Sequence, residues 1–371
     1  MPSLDPNGAA LGGVATPGLV IEAALVDANI ERMQAAARRA GVSLRPHAKT
    51  HKSPDIARRQ RQAGAVGMAC ATVREAEDMS VAGISDVLIT SPVVGPDKLG
   101  RVVELHRRSS IMLVADHPAQ VDAIAAALRS DDPLLSLLVD VDVGQARTGI
   151  VSPRDAVALA RQIRSISQLC FAGLQGYAGH IQHVVDGKER RQATEDAAVL
   201  LRAVVEALRA DDLAPEVISG SGTGTSAFDL AGDCYTELQT GSYVFMDADY
   251  GRVREPDGTE LPYQHALFVL ATVVSANRAG QVTVDAGTKA LAVNGPAPDR
   301  FIGVPAGSSY AFAGDEHGTI KLPTGAMPPA IGSRVLIGAT HCDPTVNLHG
   351  SYHVVNADGG LTRWPIVGRY S

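Results

Sequence analysis

Between about residue 25 and residue 250, short apolar runs alternate with amphipathic, alanine-rich segments, the pattern of parallel strands and their crossover helices. The runs place strands at 42–44, 66–71, 86–90, 111–115, 135–142, 169–175, 216–219 and 237–239. The segments between them open on helix-start signals. Ser53 then Pro54, and Ser152 then Pro153, put an N-cap residue before a proline at the first helical position, and Thr72 with Glu75 spells a capping box. Eight such units predict an α/β chain folded as a (β/α)8 TIM-type barrel, whose active site belongs at the C-terminal ends of the strands. A doubly wound open sheet is the alternative.

After roughly residue 260 the pattern changes to valine-rich runs such as LFVLATVVSA, VTVDAG and SRVLIGA, broken by Gly and Pro and without a clear amphipathic helix. This predicts a second, smaller C-terminal β domain. The early run TPGLVIEAA is expected to join it. The expected division is therefore a barrel over 25–260 and a β domain made of 1–24 plus 261–371.

Composition narrows the class. The chain has 371 residues, 45% of them hydrophobic, which suffices for real cores and excludes a disordered or fibrous protein. A net charge of −7 without a basic run removes the phosphate attraction on which nucleic-acid binders depend. No nucleic-acid or membrane partner is expected, since no apolar stretch is long enough to span a bilayer. The opening MPSLDPNGAALGG lacks the basic start and apolar centre of a signal peptide, so the expected location is cytoplasmic. Cys70, Cys170, Cys234 and Cys342 lie far apart with no CxxC pair, which suggests neither a disulfide framework nor a zinc cage.

Polar residues with chemical potential gather just after the expected strands. RPHAKTHK packs Arg45, His47, Lys49, His51 and Lys52 behind the first; the bland alternative is a solvated basic loop. DVDVGQARTG offers Arg147 behind the fifth, as a fixed cation or as the partner of Asp140 or Asp142. LQGYAGHIQH offers Tyr177, His180 and His183 behind the sixth. SGSGTGTS (Ser219 to Ser226) and QTGSY (Gln239 to Tyr243) follow the seventh and eighth, where barrels bind phosphate on main-chain N–H groups. In the β domain, THCDPTVNLHG carries His341, Cys342, Asp343 and His349. On a strand, His341 and Asp343 would face the same side and could share a metal; the alternative is a turn begun by Asp343-Pro344 with His341 bonded in the core.

Taken together, RPHAKTHKS, DVGQARTG, the tyrosine loop ending in QH, SGSGTGT, ELQTGSYVFMDADYG, VDAGTKA, DEHG and HCDPTVNLH resemble the low-specificity D-threonine aldolases, nearly end to end. These are fold-type III pyridoxal 5'-phosphate (PLP) enzymes with an alanine racemase-like barrel, related to D-serine dehydratases and to 3-hydroxy-D-aspartate aldolases and dehydratases. The resemblance implies that Lys49 holds PLP covalently, that Arg147 contacts its phenolate oxygen and Tyr177 its ring nitrogen, and that Gly222, Thr223, Gly224, Gly241, Ser242 and Tyr243 bind its phosphate. It further implies a divalent metal on His341 and Asp343, His183 beside the substrate hydroxyl, and a homodimer.

The implied reaction is retro-aldol cleavage of a β-hydroxy D-amino acid, with His183 or a metal-bound hydroxide as base. A histidine and a carboxylate suit manganese or magnesium, whereas a softer ligand would favour zinc. A dehydratase draws on nearly the same groups but tends to carry cysteine at the position of Asp343. A non-catalytic PLP carrier would not need HCDPTVNLH. A racemase would need a second acid/base, for which Tyr263, Tyr310 and Tyr352 are the available tyrosines.

Overall fold

The computed structural model describes residues 4–369. Its first strand, β1 (Gly18–Glu22), leads directly into a helix over Ala23–Ala40. Eight short parallel strands follow: β2 (Ser43–Leu44), β3 (Met68–Cys70), β4 (Val87–Ile89), β5 (Ile111–Ala115), β6 (Leu135–Asp140), β7 (Leu169–Gly176), β8 (Val217–Gly220) and β9 (Glu237–Leu238). They form one sheet in the order β2-β9-β8-β7-β6-β5-β4-β3. The sheet curls until its outer strands meet: the N–H of Val66 donates to Leu44 O at 2.8 Å and that of Ala69 to Pro46 O at 2.9 Å. This is the expected barrel, and each strand overlaps an apolar run because a strand buried on both faces has little room for polar side chains.

The helices depart from the simple count. Seven of them connect the eight barrel strands among the described residues, from Pro54–Ala63 to Ser226–Ala231. The missing eighth is replaced by Ala23–Ala40, which packs against both of those helices and against β2. The start signals are also partly re-used. Ser152 and Thr72 cap as expected, accepting from the N–H of Asp155 and Glu75. Ser53 occupies the N-cap position but its hydroxyl makes no capping bond. Glu75 does not close the capping box on Thr72; its carboxylate accepts from the Ala71 N–H and from Lys52.

The second sheet holds β1 with β10 (Leu267–Ser275), β11 (Gln281–Val284), β12 (Phe301–Ile302), β13 (Ser309–Phe312), β14 (Gly318–Lys321), β15 (Arg334–Gly338), β16 (Ser351–Val355) and β17 (Leu361–Pro365). β1 lies between β10, antiparallel, and β16, parallel. One helix interrupts this region, Cys342–Leu348, where the sequence suggested none. Residues 1–3 of the expected leaderless start and of the expected β domain, and 370–371, lie outside the described residues. Among the described residues no helix is long and apolar enough to cross a membrane.

Candidate active site

The loops after the barrel strands and the helix Cys342–Leu348 line one common cavity. Lys49 enters it from a single helical turn, Ala48–Thr50, that directly follows β2. Its ammonium stands 3.4 Å from Asp343 Oδ2. Asp343 raises the pKa of Lys49 against the opposing effect of burial. Burial alone would push Asp343 up, but Lys49 and then His341 hold it down at about 2.

His341 and Asp343 both line the cavity, though not as a strand. His341 is the extended N-cap residue and Asp343 lies in the first turn of the helix, so a bend, not a pleat, brings the two side chains to one side. Pro344 fits because the first turn needs no N–H from it. Cys342 between them is fully buried and does not line the cavity. Its N–H donates to Asp247 Oδ2 at 2.8 Å, and the same carboxylate accepts from the N–H of Tyr250 at 2.9 Å.

His183 reaches the cavity beside them. Its ring centroid is 6.0 Å from that of His341 and 4.4 Å from that of Tyr250. Nδ1 of His183 lies 3.1 Å from Asp249 Oδ2, off the direction of a hydrogen bond. Burial lowers the pKa of His183, with Asp249 opposing, so the ring is neutral at pH 7 and can accept a proton.

Across the cavity, Arg147 stands with its guanidinium 5.6 Å over the ring of Tyr177. It forms no ion pair with Asp140 or Asp142, which are occupied elsewhere: Asp140 by Thr148 and Gln175, Asp142 by the N–H groups of Gly144 and Ala146. Gly222, Thr223, Gly241 and Ser242 line the remaining wall. Their four main-chain N–H groups donate to no described residue. The glycines are also required by the protein itself, since a Cβ at Gly222 would meet Gln182 Oε1 at 2.4 Å and one at Gly241 would meet Thr50 Oγ1 at 2.5 Å.

Gly224 and Tyr243 are set back from the cavity. The Gly224 N–H is taken by Gln182 Oε1 and that of Tyr243 by Thr223 Oγ1, while the Tyr243 hydroxyl accepts from Gln60. The other histidines of the motifs divide. His47 lines the cavity, with Nε2 3.2 Å from Thr90 Oγ1. His51 accepts from the Ser53 N–H, His349 bonds Ala290 O, and His180 lies outside the lining. Arg45 is buried in an ion pair with Glu237. Tyr263, Tyr310 and Tyr352 do not line the cavity; the last two donate to Ala286 O and His51 O.

Sequence reasoning assigned no role to Tyr250, Gln175 or Gln239, which all line the site. Gln175 donates to Asp140 and Thr90 O, and Gln239 donates to Gln175 and Ser219, a polar chain across the top of the barrel. The signals that could have found them were the strand end at Gln175 and the motif ELQTGSYVFMDADYG, which contains Gln239 and Tyr250.

A primary amine, an unpaired guanidinium and four unused N–H groups around one cavity fit PLP, which carries an aldehyde, a phenolate and a phosphate. Among the described residues no three His, Cys, Asp or Glu side chains are grouped to hold a metal. His341 and Asp343 offer two donors, which fits an open site completed by water and substrate.

Comparison with known proteins decides the family. Residues 21–249 match the family model "Alanine racemase, N-terminal domain", and 266–355 match "Putative serine dehydratase domain". A D-threonine aldolase of Arthrobacter sp is 41% identical over 369 residues, covering 100% of this chain and 96% of the relative. The chain belongs to the D-threonine aldolase family. Within it and its neighbours, a 3-hydroxy-D-aspartate aldolase of Paracoccus denitrificans is 35% identical, covering 96% of this chain and 92% of its own. The crystal structure of a D-threonine aldolase from Filomicrobium marinum superposes with a TM-score of 0.90 at 38% identity, over 96% of each chain. A D-threo-3-hydroxyaspartate dehydratase from Delftia sp. superposes at 0.82 and 28% identity, covering 95% of this chain and 97% of that one, so aldolases and dehydratases share this family's architecture.

Proposed function

We propose that the chain is a PLP- and divalent-metal-dependent lyase that cleaves β-hydroxy D-amino acids, converting D-threonine to glycine and acetaldehyde. One observation carries the reading. Lys49, His183, His341 and Asp343, from three separate stretches of chain, converge on one cavity, with Lys49 Nζ 3.4 Å from Asp343 Oδ2.

Lys49 would hold the cofactor covalently, Arg147 would face its phenolate oxygen and Tyr177 its ring nitrogen. The N–H groups of Gly222, Thr223, Gly241 and Ser242 would take the phosphate, with Gly224 and Tyr243 bracing those loops through Gln182 and Thr223. Bound PLP supplies an electron sink for charge at Cα, and a metal on His341 and Asp343 supplies a Lewis acid at the β-hydroxyl. His183, kept neutral by burial, takes the hydroxyl proton as the Cα–Cβ bond breaks. Tyr250 packs on the His183 ring and limits its rotation.

Manganese as the metal, a homodimer as the assembly and the cytoplasm as the location belong to the same proposal, as do domain limits of 25–260 and of 1–24 plus 261–371. The His and carboxylate pair supports manganese or magnesium over zinc. Four free cysteines support a reducing compartment.

The test is incubation of the purified protein with PLP and D-threonine, D-serine or 3-hydroxy-D-aspartate, with manganese or with chelator. Glycine and an aldehyde formed only with metal support the proposal. Ammonia and a keto acid would move the chain to the dehydratases. Neither product, with PLP bound, would favour a carrier or a racemase.

A further inference from the structure

Three residues beyond Lys49 the chain turns in an uncommon way. Lys52 has φ +47°, a left-handed conformation disfavoured for any residue with a Cβ. Its side chain is largely buried, and the whole residue is 8% exposed. The ammonium donates to Glu75 Oε1 and, at 2.7 Å, to Gly368 O.

Both acceptors are fixed in place. Glu75 Oε2 accepts from the Ala71 N–H at 2.7 Å, just beyond the barrel strand β3. The Gly368 N–H donates to Asp78 Oδ2 at 2.8 Å, and a Cβ on Gly368 would lie 2.8 Å from Glu75 Cγ, so segment and helix are in contact. The main chain of Lys52 is held too, because its carbonyl accepts from the Val367 N–H at 2.8 Å. One residue earlier, His51 O accepts from the hydroxyl of Tyr352 at 2.6 Å, a second tie from the β16 sheet.

Neither Lys52 nor Glu75 lines the cavity. Burying an ammonium with a carboxylate and bending the backbone into a left-handed turn both cost stability, which a solvated lysine in an ordinary turn would avoid. What these contacts fix is the short turn Ala48–Thr50, and with it the direction of Lys49. We infer that Lys52 is a positioning residue: bridging Glu75 and Gly368, it locks the turn that aims Lys49 into the cavity, so that the segment leaving β17 sets the reach of the cofactor lysine. This rests on the reading of Lys49 as the residue that holds PLP. The phosphate and ring contacts proposed for PLP come mainly from other loops, so a shift of the Lys49 main chain would separate amine from aldehyde.

The experiment compares wild type, Lys52→Met, the double variant Lys52→Met with Glu75→Met, and Glu75→Gln. Borohydride reduction of wild type loaded with PLP, followed by peptide mass, comes first; a pyridoxyl group absent from Lys49 would defeat the functional reading itself, independently of Lys52. Given that group, the single Lys52 variant is expected to lose PLP affinity by at least about tenfold. The double variant leaves no unpaired buried charge and is expected to melt above the single variant but below wild type, since Ala71 N–H and Gly368 O lose their partners, while its PLP affinity stays lowered to the same extent. PLP affinity within about twofold of wild type in the double variant would overturn the inference and leave the cluster a structural ion pair. If the single variant does not fold, the double variant decides, and Glu75→Gln, which keeps the side-chain shape, is expected to lower PLP affinity in the same direction.

Discussion

Asp247 and Cys342 are 95 positions apart in sequence, yet Asp247 Oδ2 accepts the main-chain N–H of Cys342 at 2.8 Å. The bond fixes the start of the helix that carries Asp343 and leaves His341 at its extended N-cap. Asp247→Asn should therefore loosen the proposed metal pair, His341 and Asp343, without touching it. The expected results are a stability loss of about 1–3 kcal/mol, since one of two buried N–H groups loses its acceptor, and weaker manganese binding with PLP binding retained. Thermal melts and a manganese titration would check this; unchanged manganese affinity would contradict it.

Lys49 and Asp343 touch each other but are assigned to different ligands. Lys49→Ala is expected to abolish covalent PLP binding. Asp343→Ala is expected to keep PLP and lose metal-dependent turnover. Absorbance of the bound cofactor and product assays separate the two, and PLP loss in the Asp343 variant would count against the division of roles.

His183 is expected to act in its neutral form. Its pKa is lowered by burial, so the active form already predominates at neutral pH and activity falls only on the acid side, below the ordinary histidine value of about 6.5. His183→Asn should lower kcat by about 10²–10⁴ while PLP and metal stay bound. A pH–rate profile that keeps its acid limb in that variant would assign the limb to another group.

The glycines of the proposed phosphate wall have little space for a side chain. Gly241→Ala places a Cβ 2.5 Å from Thr50 Oγ1, one residue from Lys49. Overpacking of this kind costs about 1–3 kcal/mol, and the displaced loop is expected to bind PLP more weakly. Equilibrium dialysis of PLP against wild type and variant measures it.

His51 should make stability depend on pH. Burial, opposed by Gln60, lowers its pKa to about 3. An unfolded histidine takes its proton near about 6.5, so between these values the unfolded state binds more protons. The stability His51 contributes is full above that range and is lost as pH falls through it. Melting temperatures from pH 7 to 3 should decline, and decline less in His51→Gln; parallel curves would show that other groups set the slope.

The barrel was legible because its strands are apolar runs separated by capped helices, and following a strand singled out Lys49, Arg147, Tyr177 and His183, which line one cavity. Three things were hidden. The segment Cys342–Leu348 is too short to show helical periodicity, and Asp247, far away in sequence, caps its first N–H group. Glu75 has the spacing of a capping box but its carboxylate goes to Lys52, a choice made by tertiary contact that local spacing cannot reveal. Gln175 was passed over, and Gln239 was read only as the first residue of the QTGSY loop, because a glutamine at a strand end reads like any polar residue.

The position of β1 has a consequence for how the molecule comes into being. Residues 18–21 pair with 267–270, and 20–22 with 353–355. On a ribosome this buried GLVIE strand emerges before the whole barrel and must wait for β10 and β16 to be made before either neighbour exists. Throughout that interval its edges are open to any other strand nearby, including the same segment of another nascent copy. Newly made chains are thus most exposed to mispairing, and most in need of chaperone protection, while the barrel is being synthesised.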